Sequence, residues 1–276
     1  MFELAIQFSG GRLLVGLALA AAVSLGAWRL GALTGSGALA ASLVGGLTYG
    51  LGGLPAALLL IAFFGPSSLL SRAYARRKRK VSANFAKGGG RDWAQVTANG
   101  GMPVLALLAG AADWLAMPVA WTVFAAALAT VTADTWATEL GVLSKSPPRL
   151  ITTGKIVPAG TSGGISTLGN LVALGAALFI GVAAWLLAQP APIQILLIGG
   201  VAGVLGSFFD SYLGAMVQAI YYCPKCKKET ERHPTHSCGT KTRLLRGWPW
   251  LNNDWVNFLS AAAGALLASG AAPFFL

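Results

Sequence analysis

Apolar stretches of about 18 residues or more recur along the whole chain, separated by short polar punctuation. A helix needs a stretch of that length to cross the ~30 Å hydrocarbon core of a bilayer. Within that core every backbone N–H and C=O must be paired inside the structure, so only helices and closed barrels can span it. The apolar runs here are continuous and do not alternate, which excludes a transmembrane barrel. Composition points the same way. Of 276 residues, 55% are hydrophobic and 11% charged, whereas soluble domains carry roughly a quarter charged residues. A chain this apolar is not disordered either. The expected fold is all-α: a single polytopic membrane domain over residues 1–276.

About eight helices are expected, near residues 12–30, 33–52, 54–71, 93–110, 113–140, 164–188, 192–222 and 252–274. Gly and Pro punctuate several of them, and some helices are expected to be broken. The first does not read as a cleavable signal, because Glu3 and no Lys or Arg precedes Arg12. The net charge of +11 is uneven. Eight of the 20 basic residues lie between Arg72 and Arg91, three are Lys145, Arg149 and Lys155, and seven lie between Lys225 and Arg246. Eight spans put those three loops on one side, and the loops near Gly110 and Gln189-Pro190 carry no Lys or Arg. The positive-inside rule makes the basic side cytoplasmic. The basic loops are short and tethered to the bilayer, so nucleic acid is not an expected partner; anionic lipid or a phosphorylated substrate is.

Ionisable groups within membrane spans are costly and point to function. Of nine acids, Asp92, Asp134, Glu139, Asp210 and Asp254 fall within expected helices or at their ends, all toward the basic side, while Asp113 falls on the other. Asp92, Gln95 and Asn99 share one helical face, and Asn253, Asp254 and Asn257 form a second polar stripe. Asp134 and Glu139 point about 140° apart on a regular helix, so they share a site only at a break or around the helix end. Asp92 and Asp254 also suit N-caps. Several carboxylates with Asn neighbours suit Mg²⁺, which takes oxygen ligands from a few carboxylates and from substrate phosphates. Between Ser144 and Ser166, Lys145, Arg149 and Lys155 accompany a Gly-Thr-Ser-Gly-Gly turn (160–164) at a helix start, a setting that suits a phosphate.

All three cysteines lie in YCPKCKKETERHPTHSCG: Cys223, Cys226 and Cys238, with His233 and His236. Cys-x-x-Cys plus a third Cys and a His has the spacing of a structural Zn²⁺ site, and a cytoplasmic setting favours metal over disulfide. The expected ligands are Cys223, Cys226, His236 and Cys238, with His236 preferred to His233. They fall in a cytoplasmic insertion over 223–250.

The segments RDWAQVTANGGMP (91–103), ADTWATELG (133–141), VPAGTSGGISTLGN (157–170), GSFFDSYLGAMVQ (206–218) and NNDWVNFLS (252–260) resemble, in order, a family of polytopic membrane proteins that includes the phytyl-phosphate kinase of tocopherol synthesis. Asp134-Thr-Trp-Ala137-x-x-x-Gly141 followed by Lys155 and Gly160-Thr161 is also similar to the nucleotide-binding pattern of dolichol and phytol kinases, with Ala159 where those kinases have Glu. The resemblance implies phosphoryl transfer from CTP to an isoprenoid monophosphate. It implies Mg²⁺ on Asp134, Asp210 and Asp254, with Glu139 additional. Lys155 and the turn of Gly160, Thr161, Ser162, Gly163 and Gly164 would hold nucleotide phosphates. Arg91 would take the acceptor phosphate, beside Asp92, Asn99, Asn253 and Asn257. A bacterial or archaeal plasma membrane is the expected location. An ion-coupled transporter and a kinase acting on a free isoprenoid alcohol stay open as alternatives, and the sequence leaves oligomeric state open.

Overall fold

The structure is a computed structural model, and it describes residues 10–74 and 89–276. Most of the basic run between Arg72 and Arg91 therefore lies outside the described residues. Among the described residues there are seven helices: α1 (Gly10–Arg29), α2 (Gly35–Ala73), α3 (Trp93–Ala111), α4 (Met117–Gly141), α5 (Thr167–Leu187), α6 (Gln194–Met216) and α7 (Asn253–Phe275). Among the described residues, six are long and apolar enough to cross a membrane; α3 falls short on composition.

The expected segments 33–52 and 54–71 run together as α2, 39 residues long. A straight helix of that length would measure about 58 Å, almost twice the hydrocarbon core. It is not straight. Gly53 has φ 64° and ψ −158°, a region that only glycine occupies without strain, and Arg91 fixes the result. The Arg91 carbonyl accepts from the Thr34 amide at 3.0 Å, and its guanidinium donates to Ser68 Oγ at 3.0 Å. One residue thus touches both ends of α2, which requires the helix to double back at Gly53.

α4 is the spine. Residues 119–133 are all buried, and the helix packs against α3, α5, α6 and α7. Small residues allow this closeness: Gly203 and Gly206 of α6 sit against Ala129 and Thr130 of α4, and Gly264 of α7 meets the same Thr130. Leu, Ile and Phe cover the outside instead, as Leu39, Leu171, Leu197 and Leu266 show. That inversion suits a bundle surrounded by lipid, where close backbone contact, not apolar burial, associates helices. Trp93, Trp248, Trp250 and Trp255 are exposed together near the starts of α3 and α7, where aromatic rings mark an interface.

The loops at this end are not helical. Arg149–Leu150 (β1) pairs with Gly164–Ile165 (β2). Beyond α6, Ile220–Cys223 (β3), Lys228–Thr230 (β4) and Arg243–Arg246 (β5) make a sheet in the order β4-β3-β5. The expected helix 192–222 therefore ends early, at Met216. Ile220-Tyr221-Tyr222 is apolar, but its β-branched and aromatic residues favour a strand.

Gly53→Ala should destabilise the protein by about 1–3 kcal/mol through the backbone conformation it forbids. Gly26→Ala, in the last turn of α1 with open space around it, should not. Thermal unfolding in detergent of the two variants checks this.

Candidate active site

A cavity of about 860 Å³ opens at the end of the bundle where α3, α5 and α7 begin and α4 and α6 finish. Helix caps bring its wall residues there. Asp92 accepts from the Gln95 amide at 3.0 Å while Gln95 Oε1 accepts from the Asp92 amide at 3.3 Å, a full capping box for α3. Asn252, not Asp254, caps α7 by accepting from the Trp255 amide at 3.1 Å. Ser166 caps α5 through the Gly169 amide at 3.1 Å.

Asp134 lies seven residues before the end of α4 and Asp210 six before the end of α6. Asp210 is thus about 9 Å from its helix end, half the depth that a helix running to 222 would imply. The two carboxyl groups face each other closely enough to interact directly. Ser260 of α7 donates to Asp210 Oδ2 at 2.7 Å. Two carboxylates in that relation repel unless a proton or cation lies between them. An all-oxygen set of this kind fits a hard divalent cation.

Glu139 lines the same cavity from the other side of α4. The helix is unbroken through Gly141, so the site wraps around its end. Glu139 Oε1 accepts from Ser71 Oγ at 2.8 Å and lies near Arg91, whose guanidinium rests over Phe63 and Phe64 with centroids at 5.7 and 5.3 Å. Asp254, Asn253 and Asn257 line the wall from α7, and Asn99 from α3. Asn99 is 8% exposed and its Oδ1 has no hydrogen-bond partner among the described residues. A buried orphan acceptor is costly, and a ligand donor would relieve it.

Gly160, Thr161, Ser162, Gly163 and Gly164 form the opposite wall. The turn lies directly on the end of α6. A Cβ on Gly214 would stand 2.6 Å from Ser162 Oγ, and Gly163 has φ +81° with its own Cβ position against Ala215. Both glycines are therefore required by this approach. Ala159 lines the cavity as well.

Two expected residues stand elsewhere. Asp92 does not line the cavity; capping α3 occupies its side chain. Lys155 is exposed on the turn whose carbonyl accepts from Leu150, two residues before the lining residue Val157. Lys145 and Arg72 are the cations that line the wall beside Arg91. Sequence reading missed Ser71, Asn170, Ser207, Ser260, Gln218 and Glu231 near the site. Ser71 is a single hydroxyl in an apolar helix and Glu231 lies in a segment whose strands were not foreseen, whereas Asn170, Ser207, Gln218 and Ser260 fall inside the segments that carry the family resemblance, a signal that could have found them.

Beyond the cavity, Cys223, Cys226, His236 and Cys238 bring one ligand atom each to within 4.8 Å of one another, a set that can hold a metal ion. Cys223 and Cys238 sulfurs are 3.6 Å apart and His236 Nδ1 is 3.3 Å from Cys238 Sγ. Tetrahedral Zn–S bonds of 2.3 Å would separate sulfurs by about 3.8 Å. Hydrogen bonds from Thr240 and His236 bring the Cys238 thiol down to about 5, while Cys226, hydrogen-bonded to Cys238, is pushed up to about 11. His233 instead stacks on Tyr221, centroids 4.5 Å apart.

No solved structure matches the chain. Protein PGR of Arabidopsis thaliana is 32% identical over 280 residues, covering 94% of this chain and 95% of its own. The uncharacterized membrane protein MJ0933 of Methanocaldococcus jannaschii is 32% identical over 67% of this chain and 75% of its own. Protein VTE6, chloroplastic, of Arabidopsis thaliana is 29% identical over 52% of this chain and 36% of its own. The family model described as "Integral membrane protein DUF92" matches residues 18–265, so the family resemblance carried by the segments between 91 and 260 is borne out and the chain belongs to the DUF92 family of integral membrane proteins.

Proposed function

We propose that the cavity is the active site of a membrane-embedded, CTP-dependent kinase that converts an isoprenoid monophosphate of phytyl or geranylgeranyl type to the diphosphate. One observation carries this reading: Asp134, Glu139, Asp210 and Asp254 from three helices share one cavity with Arg91 and the Gly160–Gly164 turn. Acids that converge with phosphate-binding groups suit two polyanions and a cation. A transporter would be expected to hold its key acids near the midplane with access from both sides, whereas these gather at one end.

Asp134, Asp210 and Asp254 are the proposed Mg²⁺ ligands, with Glu139 additional. Bound there, Mg²⁺ would neutralise phosphate charge and align the reacting groups. The Gly160–Gly164 turn and the start of α5 would take the nucleotide phosphates through the amides that the turn does not itself use, since Thr161 donates to Pro158 and Gly164 to Thr161, with Lys145 on the wall and Lys155 exposed outside it. Arg91, held by Ser68 and its two phenylalanine rings, takes the acceptor phosphate. Asn99, Asn253 and Asn257 supply hydrogen bonds to it or to metal-bound water. An acceptor phosphate oxygen bonds to the γ-phosphorus, and the bond to the bridging oxygen breaks with its electron pair leaving on CDP. The acceptor is already anionic, so no residue has to take a proton, and catalysis rests on position and charge. The isoprenoid tail stays among the helices or in lipid, which accounts for a kinase built inside a bilayer. The basic loops on the cavity side support a cytoplasmic opening, in the plasma membrane of a bacterium or archaeon. The Cys₃His cluster is proposed to hold a structural Zn²⁺.

Purified protein with Mg²⁺, each of four nucleoside triphosphates, and phytyl or geranylgeranyl monophosphate should yield the diphosphate, fastest with CTP; the free alcohols serve as the competing acceptors. No product with any pair, together with ion-coupled uptake in proteoliposomes, would replace this reading with the transporter. Asp134→Asn and Asp210→Asn should each lower kcat by at least about a hundredfold, as loss of a charge-stabilising group does, with unchanged thermal unfolding. Full activity in either variant removes that residue from the metal site. Elemental analysis should find one zinc per chain, lost in Cys226→Ser.

A further inference from the structure

Gln218 follows α6 and is 1% exposed. Its amide faces two ways. Oε1 accepts from Ser162 Oγ at 2.6 Å, and Nε2 donates to Glu231 Oε1 at 2.9 Å. The orientation of the amide follows from the carboxylate, which needs a donor. Ser162 is the middle of the Gly160–Gly164 turn. Glu231 directly follows β4, and β4 pairs with β3 so that Lys228 stands opposite the metal-cluster residue Cys223. A second strut comes from β5. Arg246 Nη1 donates to the carbonyls of Gly214 and Ala215 at 2.9 and 2.8 Å, and Nη2 reaches the Ser162 carbonyl at 3.5 Å.

The metal-binding module is therefore built into the back of the glycine turn. A glycine-rich turn has many conformations available, and a ligand's apparent affinity falls in proportion to the competent fraction. We propose that Gln218 and Arg246 are positioning residues through which the module of Cys223, Cys226, His236 and Cys238 holds the Gly160–Gly164 turn in its phosphate-binding form, so that metal occupancy sets the affinity for the nucleotide. This inference rests on the phosphate-binding reading of that turn. Neither Gln218 nor Arg246 touches reacting atoms, so the effect belongs in nucleotide KM and leaves kcat alone.

The test compares full-length wild type, Gln218→Ala, Cys226→Ser and the double variant in detergent. Hydrogen–deuterium exchange over residues 160–164 reads the relay without any substrate. Steady-state kinetics with CTP and Mg²⁺ read its consequence. Loss of one hydrogen bond to a charged group corresponds to about a tenfold change. Each single variant should therefore speed exchange at 160–164 and raise nucleotide KM by about that factor, with kcat within about twofold, while exchange in α7 stays unchanged. The double variant should be no worse than the worse single one, because both remove the same support. Gln218→Ala should keep its zinc. Unchanged exchange in Gln218→Ala, or additive effects in the double variant, overturns the inference. If wild type transfers no phosphoryl group to any acceptor, the kinase reading fails, and the exchange result alone decides the relay. Should Cys226→Ser not fold, wild type and Gln218→Ala stripped of zinc with a chelator and returned to Mg²⁺ take its place in the cycle, read by the same exchange and KM.

Discussion

Asp134 and Asp210 bring two carboxyl groups into direct interaction from neighbouring helices, and what can lie between them is the constraint around which the rest is arranged. Such a pair persists only if the scaffold is rigid and something positive can come between. The rigidity comes from α4, buried over residues 119–133, and from the glycines of α6 that bring its backbone against Ala129 and Thr130. A larger residue at Gly203 or Gly206 would push the two helices apart and with them the two acids. The small-residue seam in the membrane and the acidic pair at its end are therefore one feature.

The same economy appears at the helix ends. α4 and α6 each carry an Asp near their last turn and are followed by a loop containing short strands. Each loop leads into a helix capped by a side chain, Ser166 for α5 and Asn252 for α7. The two halves approach through the Gly160–Gly164 turn, which lies on Gly214. The first loop thus brings its glycine turn to the cavity wall, while the second supplies Gln218, Arg246 and the cysteine cluster behind it.

Much of this was legible in the sequence, for identifiable reasons. Membrane helices announce themselves by length and hydropathy, and a carboxylate in such a segment is conspicuous because little else there is polar. Asp134, Glu139, Asp210 and Asp254 were found that way, as was the cysteine cluster by its spacing. The depth of Asp210 was misread because Ile220-Tyr221-Tyr222 extends the apolar run past Met216, and hydropathy does not distinguish strand from helix. The reversal of α2 at Gly53 falls at the boundary expected between 33–52 and 54–71, because Gly52-Gly53 interrupts the apolar run. Asp92 looked like a site residue because it shares a stripe with Gln95 and Asn99; capping chemistry places it at the top of the same stripe without turning it inward. Lys145, not Lys155, reaches the wall because the chain turns back between them, with Arg149 bridged to Ile156 and the Leu150 amide donating to the Lys155 carbonyl. Gln218 and Glu231 depend on a sheet assembled from three separated segments.

On the proposed kinase reading, the position of the cavity explains why a soluble scaffold would serve the reaction poorly. An isoprenoid phosphate keeps its tail in hydrocarbon and its head at the interface, so the reacting phosphate arrives at a fixed depth. Asp210, about 9 Å from the end of α6, and Arg91, just before α3 begins, bracket that depth. On that reading the nucleotide would come from the aqueous side, to the wall that Lys145 and the glycine turn line. The acidic pair sits between the two approaches. Each phosphate would meet cationic or amide groups first and the carboxylates only where a divalent cation can join them, and that order would keep the acids from repelling the substrates that the proposal has them align.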